Sequence, residues 1–539
     1  MTLIMDLSTD EIRMLMSTYC HDLSVEQKKP VRAVLRGNNI FLTGGAGTGK
    51  TYVLKALNQA LQGAFLNVVV CAPTGIAALN IGGVTIHNVF NLNANICIND
   101  NNKLIIHAPK VIQAADVIII DEISMVRMDL FDAVVAGIRK AEKKKNKKIQ
   151  VVVCGDFCQL PPVINNNAGD RKLLEQYYNR DIGLGFAFQG NEWNKCNFKI
   201  YTLTKSFRQK DSEFLENLNK LRIGDSTAIP YFNAFSSQRP FWDAPYLSFT
   251  NSKAKQINQD NLNQLAGESI SLQATYTGDA NINSVDIPNE IRVKIGARVI
   301  LSINDNYNHP DARSVEYEYR IIKYEYREPF YLNGTWATVV DYYGDDALCL
   351  DIDNGQRILL SRHAYPVYTY LINPSGQIQR KLIGKVQQYP IQLGYATTIH
   401  KSQGQTYSAV NVDPSTYGRS VSGLIYVALS RVKSIDGLHL MRYLHPTDLF
   451  LHPDVLDFYA GKFARKQGRP RKYSDSKVVS VPVELEKHVK KEIEKNTPLP
   501  MHHVSHKKTG KRVSIRVPDN LLPHVKDEII KWRKELKKR

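Results

Sequence analysis

Short, unbroken apolar runs recur along the first third of the chain, separated by longer stretches of mixed polarity. Four of these runs are Ile40–Leu42, Val68–Val70, Val117–Ile120 and Val151–Val153. Runs of β-branched residues without polar alternation are typical of parallel strands that are buried on both faces. Because the strands alternate with helical stretches, the pattern predicts an α/β domain, which we place at residues 1–199.

A second α/β pattern follows, and it is interrupted. Between about residues 304 and 388 the sequence is rich in tyrosine and β-branched residues, with turns such as Asn333-Gly334. This composition predicts a small antiparallel β insertion at residues 304–388. The second α/β domain then comprises residues 200–303 and 389–460, and a basic appendage follows at 461–539.

The positive charge of the chain is concentrated at one end. The 539 residues carry a formal net charge of +18, and the segment from Arg465 to Arg539 holds 22 Lys and Arg against nine Asp and Glu. A basic tail on a nearly balanced body indicates a polyanionic partner, with nucleic acid as the default. The alternative is a tail that serves solubility alone.

The chain has no features of a secreted or membrane protein. It contains no apolar run near 18 residues, and its first residues are not a basic start followed by an apolar stretch. Its seven cysteines are scattered, which favours a reducing compartment over a disulfide framework. We therefore expect no membrane partner and a cytoplasmic, nucleoid-associated location, or a nuclear one in a eukaryote.

A phosphate-binding loop follows the first apolar strand. Its eight residues fit the pattern G-x-x-x-x-G-K-[ST] between a strand and a helix, which is the context such a loop requires. Glycines let backbone N–H groups surround a β-phosphate, Lys50 is placed to neutralise the β- and γ-phosphate oxygens, and Thr51 is placed to bind Mg²⁺. The residues expected to hold ATP are Gly44, Gly45, Ala46, Gly47, Thr48, Gly49, Lys50 and Thr51.

Two carboxylates end the third apolar strand. Asp121 is expected to hold the Mg²⁺ shell together with Thr51, and Glu122 to orient and deprotonate the attacking water. An acidic strand end without function is the alternative, but it is improbable beside a phosphate loop. The pattern therefore predicts an ATP hydrolase.

Further motifs occur in the order found in one class of helicases. The set resembles superfamily 1B DNA helicases of the RecD-like class, most nearly the petite-integration-frequency family. The resemblance covers about residues 24–440 and leaves the basic tail outside. Besides the phosphate loop, the segments that carry the resemblance are Leu23–Gln27, Ala72–Ala78 with Thr85–His87, Asp121–Met125, Gly155–Val163, Leu203–Gln209, Tyr395–Thr406 and Tyr426–Arg431.

The resemblance implies two tandem RecA-like domains with an SH3-like β-barrel insertion in the second, and a 5′-to-3′ DNA helicase that binds ATP between the domains. Gln27 would read the adenine edge, and Gln159 would sense the γ-phosphate. Gly404 would also line the nucleotide site. Arg208 and Arg431 would serve as arginine fingers, which neutralise charge in the transition state of phosphoryl transfer.

The resemblance also implies a path for single-stranded DNA across both domains, ending at a duplex junction. Hydroxyl, imidazole and ammonium groups suit phosphate contacts, which position a strand without reading its sequence. The residues that the resemblance assigns to this path are Thr74, Thr85, His87, Thr398, His400 and Lys401.

The basic tail contains two further patterns. Arg469 and Arg471 lie in a Gly-Arg-Pro-Arg segment that looks like an AT-hook, which would enter an A·T-rich minor groove. Residues Val479–Ile493 also resemble Val513–Ile529, and each reads as a strand followed by an amphipathic helix. The two units could pair as in ribbon-type DNA-binding folds. A plain basic linker, chance similarity and a protein-binding tail remain alternatives.

Two rival functions remain open at this point. One is an RNA helicase of the same superfamily, because no motif here reads the 2′-hydroxyl. The other is a site-binding DNA protein such as an initiator, in which ATP acts as a switch and the tail recognises the site. A helicase in replication, repair or recombination is the function we expect.

Overall fold

The computed structural model describes residues 7–92, 96–164, 168–282, 285, 287–303, 331, 335–344, 347–353, 355–415, 421–463, 476–482, 508–509 and 512–518. The chain divides into two compact units. The larger unit comprises residues 1–164 with 184–464, and the smaller comprises 165–183 with 465–539.

The larger unit begins with a six-stranded sheet in which all neighbours are parallel. Its strand order is β3-β2-β4-β5-β1-β6. We call it the first sheet. Its strands are β1 (Ile40–Gly44), β2 (Val68–Ala72), β3 (Val84–Thr85), β4 (Val117–Ile120), β5 (Gln150–Cys154) and β6 (Lys199–Leu203).

Both faces of the first sheet are buried, as the unbroken apolar runs predict. Phe41 and Ile118 belong to one hydrophobic core, whereas Ile40 and Val117 belong to the core on the other face. Each fully buried Val, Ile or Phe side chain stabilises the fold by about 1.5–3 kcal/mol. The sequence prediction of a parallel, doubly covered sheet is therefore confirmed.

Helices surround this sheet and continue into the second half of the unit. The lysine run after Ala141 forms the exposed end of a helix. The helices are α1 (Thr9–Tyr19), α2 (Val25–Leu35), α3 (Lys50–Gly63), α4 (Gly75–Asn80), α5 (Ile86–Phe90), α6 (Lys110–Ala114), α7 (Met128–Lys145), α8 (Ala168–Tyr178, grouped with the smaller unit), α9 (Ser212–Arg222), α10 (Ile229–Phe235), α11 (Asn251–Gln264), α12 (Leu424–Leu429) and α13 (Pro453–Tyr459).

A second parallel sheet and several antiparallel sheets complete the larger unit. The second parallel sheet has the order β18-β7-β19-β20, and the others contain the orders β14-β13-β12-β11-β17, β15-β16-β9 and β10-β8. The strands are β7 (Tyr246–Ser248), β8 (Ile270–Gln273), β9 (Thr275–Gly278), β10 (Glu290–Val293), β11 (Arg298–Leu301), β12 (Trp336–Tyr342), β13 (Leu348–Ile352), β14 (Arg357–Leu360), β15 (His363–Ile372), β16 (Ile378–Gln388), β17 (Ile391–Leu393), β18 (Ala396–Thr398), β19 (Val410–Val412) and β20 (Leu438–Leu440).

The antiparallel strands interrupt the second α/β region, but β8, β9, β10, β11 and β17 lie outside residues 304–388. Strands β11 and β17 lie on either side of residues 304–388 and pair with each other. The fold is thus α/β with two parallel sheets, which is the architecture expected of two RecA-like domains. The boundaries assigned from the sequence stay predictions.

A long hairpin formed by β15 and β16 reaches back to the first sheet. The hydroxyl of Tyr370 accepts a hydrogen bond from the Val70 N–H at 3.1 Å and donates to the Val70 carbonyl at 3.3 Å. Asn67 bonds the backbone of Ile378, and Arg380 bonds the Gly82 carbonyl. The hairpin therefore joins the second half of the unit to the edge of the first sheet.

The smaller unit contains three described strands in the basic tail. They are β21 (Ser476–Pro482), β22 (Lys508–Thr509) and β23 (Arg512–Pro518), in the order β21-β23-β22. Strand β21 pairs with β23 in antiparallel fashion over seven residue pairs. Both strands of the predicted repeat therefore form and pair with each other, whereas the helices predicted after them lie outside the described residues.

Candidate nucleotide site and nucleic-acid interface

A cleft of about 1020 Å³ brings together residues from both parallel-sheet regions. The phosphate loop lies on one side, and the segments after β18 and α12 lie on the other. Most of the predicted nucleotide residues therefore share one cavity. The predicted residues that line it are Ala46, Gly47, Thr48, Gly49, Lys50, Thr51, Asp121, Glu122, Gln159, Arg208, Gly404 and Arg431.

Two glycines of the phosphate loop allow other segments to approach it closely. Gly47 and Gly49 have φ angles of +78° and +79°, which side-chain-bearing residues rarely adopt. A Cβ atom on Gly47 would lie 2.6 Å from the Cβ of Arg208, and one on Gly49 would lie 2.7 Å from Nε2 of Gln27. The glycines are thus required by packing as well as by phosphate binding.

Backbone carbonyls of the phosphate loop hold the Lys50 side chain over the loop. Its Nζ donates to the carbonyls of Gly44 and Gly45 at 2.9 and 3.0 Å. Gly44 ends strand β1 and Lys50 begins helix α3, so the loop has the strand and helix that the sequence predicts on either side. The ammonium group is therefore positioned at the helix N-terminus, where phosphate oxygens bind in such loops.

Gln27 is buried, and its amide is already used by the protein. Its Oε1 accepts from the Ser24 N–H at 3.0 Å and caps α2, while its Nε2 donates to the Thr48 carbonyl at 3.3 Å. One N–H of the amide remains available for an adenine. Gln27 also stabilises the phosphate loop directly, a role that the sequence prediction did not include.

Thr51 and Asp121 provide adjacent oxygen donors. The Thr51 hydroxyl lies 3.5 Å from Oδ2 of Asp121. Magnesium prefers such hard oxygen ligands and usually keeps water and substrate phosphate oxygens in its other positions. Two protein ligands therefore fit a Mg²⁺ ion held jointly with a nucleotide. Among the residues described, no group of three or more His, Cys, Asp or Glu side chains could hold a metal by itself.

Glu122 has a strained backbone and a perturbed carboxyl group. Its φ and ψ angles are 50° and 46°, in the left-handed region, which for such a residue commonly marks a functional site. Burial and the neighbouring Asp121 carboxylate raise the pKa of Glu122 to about 7, although Lys50 and Arg431 oppose this shift. A carboxylate with a pKa near neutrality suits a general base.

Gln403 connects the two sides of the cleft, and the sequence analysis did not select it. Its Nε2 lies 3.2 Å from Oε2 of Glu122 and 3.4 Å from Oε1 of Gln159. Gln159 in turn donates to Asp156 at 3.4 Å. Gln403 belongs to the segment Tyr395–Thr406, which also carries the predicted DNA contacts, so this segment touches the candidate base directly.

Arg208 and Arg431 reach the cleft and bond the backbone around it. Nη1 of Arg208 donates to the Ser430 carbonyl at 3.0 Å. Arg431 is 1% exposed, and its guanidinium donates to the carbonyls of Val427, Ser402 and Gln405. Burial, with the nearby Arg208, lowers the pKa of Arg431 to about 9.

An ion pair and two tyrosines connect the second half of the larger unit to the strand ends of the first sheet and to the phosphate loop. Arg222 donates to both oxygens of Asp156 at 2.8 and 2.9 Å. Although burial alone would raise the pKa of Asp156, this pair holds it below its ordinary value. Tyr459 bonds Thr43 at 2.9 Å, and the Tyr426 hydroxyl accepts from the Ala46 N–H at 2.7 Å. These partners are remote in sequence, so no local motif indicates them.

The predicted DNA contacts lie just beyond the carboxyl ends of parallel strands. Thr74 follows β2 and Thr85 ends β3, and both hydroxyls cap short helices by accepting backbone N–H groups. Thr398 ends β18, and its hydroxyl accepts from the Lys401 N–H at 3.3 Å. Carboxyl ends of strands are where ligands bind in open α/β sheets.

The two histidines of this set are partly buried, and Lys401 is exposed. Burial lowers the pKa of both His87 and His400. The buried Nε2 of His87 has no hydrogen-bond partner among the described residues. Arg469 and Arg471, the AT-hook arginines, lie outside the described residues.

Comparison with known proteins identifies relatives across most of the chain. A family model described as PIF1-like helicase matches residues 22–227. The human protein named ATP-dependent DNA helicase PIF1 is 31% identical over 457 residues, which cover 81% of this chain and 63% of that protein. The Pif1 protein of a Psychrobacter species is 31% identical over 472 residues, covering 78% of this chain and 68% of that protein.

Solved structures agree with this match. Pif1 from a Bacteroides species in complex with ADP-AlF4 has a TM-score of 0.67 and 27% identity, covering 83% of this chain and 98% of that one. Pif1 from Candida albicans has a TM-score of 0.56 and 26% identity, covering 81% of this chain and 99% of that one. This chain spans about 63% of the length of its human relative.

The fold and the cleft together define a P-loop protein of the helicase class, with two parallel sheets that both contribute to one nucleotide-sized cavity. The chain belongs to the PIF1-like helicase family, as the resemblance of its motifs indicates. In the part of the chain that is described, no helix combines the length and apolar character needed to cross a bilayer.

Proposed function

We propose that the chain is an ATP-dependent DNA helicase that moves 5′ to 3′ on single-stranded DNA and unwinds duplex ahead of it. One observation carries the proposal. The segment Tyr395–Thr406 holds the predicted DNA contacts Thr398, His400 and Lys401, and its Gln403 bonds Glu122 and Gln159. A shift of this segment on DNA would therefore move a group that touches the candidate base.

ATP and Mg²⁺ have distinct sets of candidate residues. Lys50 and the glycine loop would hold the phosphates, and Thr51 with Asp121 would hold Mg²⁺, which supplies charge neutralisation at the β- and γ-phosphates. Glu122 would accept a proton from the attacking water. Support for nucleotide use comes from the related Bacteroides protein, whose structure contains ADP-AlF4.

Arg431 would complete the cleft from the second side, and Arg208, which follows β6 of the first sheet, would add positive charge beside the phosphate loop. Each already bonds backbone carbonyls there, which fixes its guanidinium group and reduces the reorganisation needed during phosphoryl transfer. Closing the cleft brings positive charge towards the γ-phosphate, and opening removes it. Such a cycle is how two RecA-like domains would convert hydrolysis into stepwise movement.

Single-stranded DNA and duplex junctions are the proposed substrates. The related Bacteroides Pif1 has been solved bound to single-stranded DNA. Another related structure concerns DNA unwinding at forked double-stranded DNA by two coordinating Pif1 helicases. Thr74, Thr85 and His87 would contact one part of the strand, and the segment after β18 would contact the next.

The proposal is tested by ATP hydrolysis with and without single-stranded DNA. We expect strong stimulation by DNA in the wild-type chain and loss of that stimulation in Lys401→Ala with little change in basal hydrolysis. A slow rate that DNA leaves unchanged would favour an ATP-switched binding protein. Equal unwinding of substrates with RNA and DNA loading strands would remove the preference for DNA.

A further inference from the structure

The two strands of the tail repeat pair about a point of internal symmetry. When Val479–Ile493 is aligned with Val513–Ile529, residues at the start of the two segments are related by an offset of 34, so that Ser480 corresponds to Ser514. In the antiparallel ribbon of β21 and β23, Ser480 is paired with Ser514. The central serine of one strand therefore lies opposite the equivalent serine of the other strand. Two equal units related by a two-fold axis have this arrangement.

The register separates the ribbon into two unlike faces. Successive residues of a strand alternate between faces, and paired residues share a face. One set of pairs is Lys477 with Val517, Val479 with Ile515 and Val481 with Val513, which is mostly apolar. The other set is Ser476 with Pro518, Val478 with Arg516, Ser480 with Ser514 and Pro482 with Arg512. We call this second set the reading face.

We propose that the reading face enters the major groove of duplex DNA and gives the tail a sequence preference. The charge of the tail favours DNA as the ligand of this face, because the segment 465–539 holds 22 Lys and Arg against nine Asp and Glu. The short strand β22 pairs with one end of β23, where Lys508 and Thr509 lie opposite Val513 and Arg512. Over the rest of the described pairing only β21 and β23 lie side by side. A two-stranded ribbon of this kind fits the major groove, where arginine bonds guanine through two hydrogen bonds. The reading face carries two arginines flanking a serine pair.

The ribbon also predicts the kind of sequence that it reads. Arg512 and Arg516 correspond in the repeat to Val478 and Pro482, so only one of the two units carries arginines on this face. Symmetric dimers read palindromic sites because both halves are equal. The tail is therefore expected to prefer a site without two-fold symmetry. This inference deepens the proposed function, since it supplies a duplex anchor for the motor.

The test uses the full chain and blunt-ended duplexes with a randomised core, selected by binding without ATP. We expect an enriched, non-palindromic site. The variant Arg512→Gln/Arg516→Gln should lose about tenfold or more in affinity for that site, because each bidentate contact contributes substantially to discrimination. It should bind unselected duplex nearly as well as the control does.

The matched control is Lys477→Gln/Lys508→Gln. Both of these lysines pair with residues of the apolar set. The variant removes two positive charges, as many as the arginine variant does. We expect it to keep the sequence preference. Arg512→Lys/Arg516→Lys keeps the charge and loses the planar fork, so it should retain bulk duplex binding and lose the preference.

Equal losses in the arginine and lysine variants on every duplex would overturn the proposal and leave a nonspecific basic tail. Unchanged duplex binding in both variants would also overturn it, in favour of a protein partner. ATP hydrolysis stimulated by single-stranded DNA is measured for every variant. It should stay at the wild-type level, so failure of this inference is distinguishable from failure of the motor assignment.

Discussion

At the scale of single residues, the cleft concentrates unusual chemistry at Glu122. Its backbone is in a left-handed conformation, its carboxyl pKa is raised to about 7 by burial and by Asp121, and it accepts a hydrogen bond from Gln403. A backbone conformation of this kind costs about 1–3 kcal/mol and persists only where the surroundings fix it. These features support Glu122 as the general base. Substituting Glu122 or its partner Gln403 therefore tests this role.

Lys50→Ala should abolish ATP hydrolysis and unwinding, because the β- and γ-phosphate oxygens lose their counter-charge. Glu122→Gln should still bind ATP and accumulate the closed, DNA-bound state. Nucleotide binding, DNA binding and steady-state hydrolysis measured side by side distinguish the two variants. Normal hydrolysis by the Lys50→Ala protein would refute the phosphate-loop assignment.

Gln403→Ala should lower the DNA-stimulated kcat by about a hundredfold, a loss typical of misplacing a reacting group. The affinity for ATP should change little, because Gln403 contacts the candidate base and Gln159. Gln259→Ala on the exposed surface of α11 is the control. If basal and DNA-stimulated rates fall by the same factor, Gln403 positions Glu122 but does not transmit DNA binding.

Arg208→Ala and Arg431→Ala should each lower kcat by about 10³-fold or more with modest changes in nucleotide affinity. Arg431 is buried and bonds several carbonyls, so its variant is also checked by denaturant unfolding. Arg431→Lys should not restore turnover, because an ammonium group cannot reproduce these planar contacts. Wild-type turnover in both alanine variants would show that the second side does not complete the cleft.

The sequence predicts the phosphate loop and Asp121-Glu122 because neighbouring residues define each of them. It does not indicate the contacts between remote segments. Gln403 is 281 residues from Glu122, and Tyr459 is 416 residues from Thr43. Only the folded chain brings such pairs together. Gln403 lies inside the segment Tyr395–Thr406, which the sequence analysis identified. A polar amide in that segment, shortly after a predicted strand, was the one indication that Gln403 could reach the cleft.

At the scale of elements, the hairpin of β15 and β16 connects the second half of the larger unit to the first sheet. Tyr370 satisfies both backbone groups of Val70, and Tyr368 and Tyr370 pack against the core on one face of that sheet. The tyrosine-rich composition predicts an antiparallel insertion, but it does not reveal that the insertion contacts the first domain. Aromatic residues in a strand have the same pattern whether they pack locally or against another domain.

Tyr370→Phe keeps the ring and removes both hydrogen bonds to Val70. Leaving two partly buried backbone groups without this partner should destabilise the contact by about 1–3 kcal/mol. We expect faster release of single-stranded DNA, because Arg380 of the same hairpin bonds the carbonyl of Gly82, two residues before the strand that ends at Thr85. Tyr276→Phe, which removes a bond at the exposed side of the same sheet, is the control. Identical DNA release from the two variants would rule out a role for the docked hairpin.

At the scale of the whole molecule, the chain divides into two compact units, and the smaller one contains the basic tail together with residues 165–183. The larger unit also includes the first residues of the segment 461–539. Phe463 is buried, and its ring lies 4.9 Å from that of Phe188 in the larger unit. The larger unit extends to Ala464, so a clean separation removes only the residues after it.

Truncation after Ala464 should leave DNA-stimulated ATP hydrolysis nearly intact and weaken binding to duplex. The log–log dependence of affinity on salt should become shallower by about 0.9 for each phosphate contact removed. Filter binding or anisotropy over a series of salt concentrations measures this slope. If the AT-hook prediction at Arg469 and Arg471 is right, the loss is greater on A·T-rich duplex. An unchanged slope would exclude the tail from DNA binding.

The direction and substrate of the motor are tested most directly by unwinding matched duplexes that carry a single-stranded overhang at either the 5′ or the 3′ end. We predict ATP-dependent strand separation only with the 5′ overhang, and none by the Glu122→Gln variant on either substrate. Separation that requires a 3′ overhang would contradict the proposed direction. The absence of strand separation on both, with ATP hydrolysis intact, would contradict the helicase assignment itself.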